Sequence, residues 1–292
     1  MSTNTPGSPS WLDTAEYPFA PHYLTVNGGR MHYVDEGSGS PVLLIHGTPV
    51  WSFLYRNVIR RLAASHRVIA PDHIGFGLSD KPKDWTYTLP DHASNLSYLI
   101  NELDLNDITL VVHDIGGPIG LPAILDHPER FSRLVITNTF LWRLTDRRFT
   151  RPLRLFSGRI GKLLYTRLNM SARFIVPRLF GDRKITKTAH AHYRNALPAG
   201  SRLAPWAIAR EMLRAGDWLE QQWQRTDRLK VLPVLIVWGE KDPAFQVQEL
   251  DQWTARLPEA KVVRLSDVGH FIAEEAPEKL ADELEQFIRT TT

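Results

Sequence analysis

The strongest constraint on how this chain can fold is a series of continuous apolar runs: Val42-Leu43-Leu44-Ile45, Val68-Ile69-Ala70, Ile108 to Val112, Leu134-Val135-Ile136 and Val234 to Trp238. None alternates apolar with polar residues, so each must be covered on both faces, as strands of a helix-flanked parallel sheet are. The stretches between them, Phe53 to Ala64, Asp91 to Leu103, Pro118 to Leu125, Val247 to Leu257 and Pro277 to Ile288, have helical spacing instead. The alternation predicts an α/β fold, a mostly parallel twisted sheet with helices on both faces. Tyr23 to Val26 and Met31 to Val34, joined by Asn27-Gly28-Gly29, predict an antiparallel opening hairpin, because these turn residues supply positive φ.

The alternation stops between Trp142 and Lys230. Leu153 to Leu164, Ser171 to Phe180 and Trp206 to Arg214 read as helices there and no buried strand occurs. The expected organisation is an N-terminal tail (1–20), a core (21–141 and 231–292) and an inserted helical cap (142–230), a division that 292 residues allow. Residues 1–10 are polar, with Gly and Pro and no apolar stretch, and so read as a frayed tail rather than a signal peptide. No run approaches the roughly 18 apolar residues of a membrane span, and the chain is expected to be soluble and cytoplasmic.

A net charge of +3 gives no reason to expect a nucleic-acid partner, but its distribution is uneven. Arg143 to Lys230 holds 20 Lys and Arg against 6 Asp and Glu, a formal +14. This basic segment has two readings: steering anionic or amphipathic substrates, or an acidic partner, towards a site, or arginines lying over apolar surface on solvent-facing helix sides.

The absence of Cys excludes thiol nucleophiles, iron–sulfur centres, thiolate zinc sites and disulfide scaffolds. The 11 His are scattered without metal-ligand spacing, and no phosphate-binding glycine loop stands between a strand and a helix, so no cofactor is expected. What remains is chemistry at the carboxyl ends of the strands. Leu110-Val111-Val112-His113-Asp114-Ile115-Gly116-Gly117 has the outline of a nucleophile elbow, a tight strand-to-helix turn that projects one side chain. Asp114 occupies the nucleophile position, and Val112 stands where such elbows carry their first glycine. The alternative for Asp114 is a simple helix cap. Asp242 follows the run ending at Trp238, and His270 sits in the loop before the last helix. The chain order Asp114, Asp242, His270 is that of nucleophile, acid and histidine on a hydrolase sheet. The backbone N–H groups of Thr48 and Ile115 are placed to form an oxyanion hole.

His46-Gly47-Thr48-Pro49 with Trp51 to Arg56, Pro71 to Pro82 with its Gly75-Phe76-Gly77-Leu78-Ser79-Asp80, His113 to Gly117, and the stretch from Tyr193-Arg194-Asn195-Ala196-Leu197-Pro198 to Trp206 together resemble the haloalkane dehalogenases and epoxide hydrolases of the α/β-hydrolase superfamily. The resemblance spans roughly residues 23–288. It implies a cofactor-free hydrolase that forms an ester between Asp114 and an apolar substrate bearing a leaving group, with alkyl halides leading and epoxides or β-lactones as alternatives. A hydrolase-fold ligand-binding protein with little activity is the alternative of another class. Relatives hold halide with a Trp directly after the nucleophile and a second Trp, or an Asn after the His-Gly pair; Ile115 and Thr48 stand at those positions here. Asn138 occupies the alternative acid position of some relatives. Trp51, Pro118, Trp142, Tyr165, Trp206, Phe245 and Phe271 are the expected pocket residues, and Tyr165 and Tyr193 are the tyrosines that epoxide opening would call on.

Overall fold

The computed structural model describes residues 9–291. Its strands are β1 (His22–Val26), β2 (Gly29–Glu36), β3 (Pro41–Ile45), β4 (Arg67–Pro71), β5 (Ile108–Asp114), β6 (Phe131–Thr139), β7 (Val234–Gly239) and β8 (Lys261–Leu265). They form one sheet in the order β1-β2-β4-β3-β5-β6-β7-β8. β1 with β2 and β2 with β4 are antiparallel, and every later pairing is parallel. In the hairpin Val26 pairs with Gly29 across Asn27-Gly28, and Gly28 has φ +102°. Every residue of β3, β5 and β7 is buried, as runs covered on both faces must be. β8, at the sheet edge, is mostly exposed and carries Lys261 and Arg264, charges that discourage further strand pairing.

The helices are α1 (Arg56–Leu62), α2 (Leu89–Glu102), α3 (Gly116–Asp126), α4 (Arg147–Ser157), α5 (Arg159–Leu168), α6 (Lys187–Asn195), α7 (Leu203–Arg214), α8 (Gly216–Gln224), α9 (Val247–Arg256), α10 (Ile272–Glu275) and α11 (Pro277–Thr290). α1 packs on α11 and α2 on α3. Between β6 and β7 the only regular elements are helical, α4 to α8 with shorter helical turns, joined by irregular segments. The single helix expected over 153–164 is two: Gly158, extended at φ −77° and ψ −172°, ends α4 and begins α5. The helix expected over 171–180 is a π-helical turn, Ser171–Ile175, running into a 3-10 turn, Val176–Arg178. Pro177 has no N–H to continue an α-helical ladder there.

Residues 1–8 of the expected tail lie outside the described residues. The residues that follow, 9–20, are anchored to the core at several points. Leu12 and Tyr17 are buried, Trp11 meets Trp51 edge-on at 6.0 Å, and the Asp13 N–H donates to His192 Nε2 at 3.1 Å. Four large side chains, Trp11, Leu12, Tyr17 and Phe19, give this segment the buried surface needed to strap α6 to the sheet. No helix among the described residues is long and apolar enough to cross a membrane.

Candidate active site

The site assembles at the carboxyl ends of β3, β5, β6 and β7, neighbours around the middle of the sheet. Asp114 is the last residue of β5 and has φ +51°, a left-handed conformation that turns the chain sharply into α3. Small neighbours make the turn possible: a Cβ on Gly116 would lie 2.4 Å from the Ile45 carbonyl oxygen, and one on Gly47 would lie 2.3 Å from Asp114 Cβ. The Thr139 hydroxyl donates to the Asp114 carbonyl oxygen. Gly47 thereby lets the loop after β3 close over Asp114, and the Thr48 N–H donates to Asp114 Oδ2 at 2.7 Å.

His270 and Asp242 meet from separate loops, with His270 Nδ1 2.7 Å from Asp242 Oδ2. Asp242 is held by the Ala244 N–H on Oδ1 (2.7 Å) and by Asn138 Nδ2 on Oδ2 (2.9 Å). Asn138, at φ +30° near the end of β6, also exchanges hydrogen bonds with the Gly239 backbone at 3.1 and 2.8 Å. The residue at the alternative acid position thus fastens the acid to β7. The histidine loop is tied to the helical insertion: the His270 N–H donates to the Leu179 carbonyl (2.8 Å), and Glu275 accepts the N–H of Gly181 (2.8 Å) and of Gly269 (3.1 Å).

Burial shifts these groups in opposing ways. It pushes the Asp114 carboxyl up, against the charge of His270 and the amides of Thr48 and Ile115. Burial alone would pull His270 down, but the charge and hydrogen bond of Asp242, with the charge of Asp114, outweigh it and raise the imidazole. His113, whose ring lies tilted 4.6 Å from that of His270, is pulled well down by burial and by His270 itself. An ionised carboxylate with one oxygen held and an imidazole with one nitrogen held present one free atom each, suited to attack and proton transfer.

A model of the α/β-hydrolase fold matches residues 40–277. The chain belongs to the α/β-hydrolase family. This hydrolase is 35% identical to the cis-3-alkyl-4-alkyloxetan-2-one decarboxylase of Shewanella oneidensis, over 96% of this chain and 91% of that one. It is 32% identical to haloalkane dehalogenase 2 of Mycobacterium tuberculosis, over 92% and 95% of the two chains. A loop variant of the Bradyrhizobium elkanii haloalkane dehalogenase superposes with a TM-score of 0.84, covering 94% of this chain and 97% of that one at 24% identity, which shows the shared fold. These relatives place it in the haloalkane dehalogenase-like branch, among hydrolases.

A cavity of about 370 Å³ opens onto Asp114, His270 and Thr48 of this hydrolase. Tyr165 and Phe245, two of the expected pocket residues, line it. The other five lie elsewhere. Trp51 is fully buried, stacked on Phe53 at 5.4 Å. Pro118 is buried in the first turn of α3. Trp142 packs on Trp223 and Trp253 at 5.1 and 5.5 Å. Trp206 donates its indole N–H to the Ser157 carbonyl (3.1 Å), with Lys162 and Arg210 over its ring. Phe271 lies under His270, at 4.7 Å. Nearness in sequence to a catalytic position does not put a side chain in the cavity. The walls come instead from α4, where Phe149, Pro152, Leu153 and Phe156 all line it, with Arg148 at one end. Their i, i+3, i+4, i+7 spacing was readable as an apolar helix face, but nothing in the sequence aimed that face at Asp114.

Proposed function

We propose that this hydrolase converts an apolar alkyl halide to an alcohol through a covalent ester on Asp114, with the insertion between β6 and β7 acting as the cap over the site. The observation that carries the reading is the Thr48 N–H on Asp114 Oδ2, which occupies one carboxylate oxygen and leaves Oδ1 to attack. Oδ1 forms a bond to the halogen-bearing carbon while the carbon–halogen electron pair leaves with the halide. Esterification removes the charge of Asp114, one of the influences that raise His270, so the imidazole is more readily neutral, and able to accept a proton, in the step that needs a base. His270 Nε2 takes a proton from water, and the hydroxide adds to the ester carbonyl carbon. The resulting oxyanion develops on the oxygen already held by the Thr48 amide, with the Ile115 amide as the second donor of the proposed oxyanion hole, worth about 3 kcal/mol per donor. Collapse expels the alkoxide, which takes the proton from His270 and leaves as the alcohol, and the proton remaining on the Asp114 carboxyl is lost to solvent to regenerate the carboxylate.

A second reading, a substrate containing an alkyl β-lactone ring, is favoured by what surrounds the leaving-group position. Ile115 and Thr48 replace the family's halide donors, no Trp lines the cavity, and Arg148 does. Attack of Oδ1 on the ring carbon bearing oxygen breaks that C–O bond and yields a carboxylate. Loss of CO₂ then returns the C–C electron pair to form an alkene and expels Asp114, with no water consumed. The epoxide reading has less support: Tyr165 lines the cavity, whereas the Tyr193 hydroxyl donates to Glu274 at 2.6 Å.

The test incubates the His270→Ala protein with bromoalkanes, epoxides and a β-lactone, and reads the mass of the Asp114 peptide. A trapped alkyl ester from a bromoalkane is the expected result, and alkene release from the lactone would select the second reading. Asp114 left unmodified by every substrate would sink both.

A further inference from the structure

Nine large apolar side chains are exposed among the described residues, and five of them, Leu155, Ile160, Leu163, Leu168 and Phe174, lie on α4, α5 and the turn that follows. Leu155, Ile160 and Leu163 are 71%, 75% and 57% exposed. The same stretch, residues 147–181, holds nine Arg and Lys and no Asp or Glu. Arg147, Arg151, Arg154, Arg159, Lys162, Arg167, Arg173 and Arg178 are all exposed, and among the described residues none of the eight pairs with a carboxylate. Elsewhere exposed cations such as Arg61, Lys241 and Arg264 do find carboxylate partners.

The helices here have two working faces. On α4, Phe149, Pro152, Leu153 and Phe156 line the cavity, while Arg147, Arg151, Arg154 and Leu155 are exposed. On α5, Gly161 and Tyr165 are buried one turn apart, while Ile160, Leu163 and Arg167 follow one another along the exposed side. An apolar patch ringed by cations with no anion among them matches the acyl boundary and phosphates of an anionic lipid surface. A soluble acidic partner would satisfy the cations but would gain little from the aliphatic side chains projecting between them.

We propose that the α4–α5 face docks this hydrolase on an anionic lipid surface, from which apolar substrate enters the cavity on the inner side of α4. Substrate entry rests on the function proposed above; docking does not, and the experiment keeps the two apart. Binding is measured with Asp114→Ala protein, by sedimentation with vesicles of phosphatidylcholine alone or mixed with phosphatidylglycerol. The expected result is binding to the mixed vesicles that weakens about tenfold without phosphatidylglycerol, in about 0.5 M NaCl, and in either L155S/I160S/L163S or R151E/R154E/R159E. Circular dichroism checks that each variant folds, and Ile160→Ser alone replaces the first triple if it does not. In an otherwise wild-type background the serine variant should turn over a short water-soluble substrate at an unchanged rate.

Failure to bind mixed vesicles would overturn docking. So would full binding by the serine variant, or displacement by poly-glutamate as effective as by vesicles, since either means general polyanion attraction. If no substrate reacts, the function reading fails while the vesicle result still decides docking.

Discussion

The carboxyl-terminal edge of the sheet, formed by the ends of its central strands and holding Asp114, Asp242 and His270, and the outer face of α4 and α5 treat charge in opposite ways. At the sheet edge the charged side chains are buried and held: Asp242 takes three hydrogen bonds, from His270, Asn138 and Ala244, and the Arg56 guanidinium grips Glu274 at 2.7 and 2.8 Å. On the outer face of α4 and α5, Arg147, Arg151, Arg154, Arg159, Lys162 and Arg167 are exposed without carboxylate partners, whereas Arg148, on the cavity side of α4, pairs with Glu249 at 2.6 Å. A buried ion left without a partner costs several kcal/mol, whereas a solvated surface charge costs almost nothing to carry or to lose. The first region therefore accepts only geometry that satisfies every group. The second is free to be shaped by what it meets, and lies one helix away from the chemistry.

The largest effects should come from the sheet edge. Asp114→Asn should lower turnover about 10⁴-fold or more, read as product release at saturating substrate; a loss under tenfold would remove Asp114 from its proposed role. Asp242→Asn should stall turnover with the ester still on Asp114, visible by mass spectrometry. It should also move the acid limb of ester hydrolysis to lower pH. His270 must be neutral to accept a proton from water, falling pH protonates it, and Asp242 is a main cause of its raised pKa. A limb that stays in place would break the assignment of Asp242.

Arg56→Ala leaves Glu274 buried without a cation, held only by the Tyr193 hydroxyl, and should cost about 3 kcal/mol in urea unfolding. Asn138→Ala removes a hydrogen bond to a charged acceptor and should slow ester hydrolysis about tenfold or more with little change in substrate binding; an effect confined to KM would mean that Asn138 does not act through Asp242. The smallest effect is expected of R151E/R154E, within about 0.5 kcal/mol of wild type in the same unfolding measurement. A large destabilisation would show that these arginines are structural after all and would erase the contrast between the two regions.

The apolar runs determined the strands from the sequence alone, because a segment covered on both faces has no polar alternation to disguise it: Val42 to Ile45, Ile108 to Val112 and Val234 to Trp238 all fall within buried strands. Residue type at the strand ends likewise picked out Asp114, Asp242 and His270, since carboxylates and an imidazole at such ends are chemically conspicuous. Helices outside the sheet are less legible. Gly158 interrupts a run whose apolar spacing continues through it, and the Trp11-Leu12 anchor is too short to register as an element.

The cavity was decided by the tertiary structure. Tyr165 reaches the cavity and Phe271 does not, although Phe271 adjoins His270, because wall membership depends on how α4, α5 and α7 cross the sheet edge. Asn138 and Leu179 hold Asp242 and His270 by contacts spanning about a hundred residues. Local pattern sets how an element folds and which of its faces is apolar; only packing sets what that face looks at.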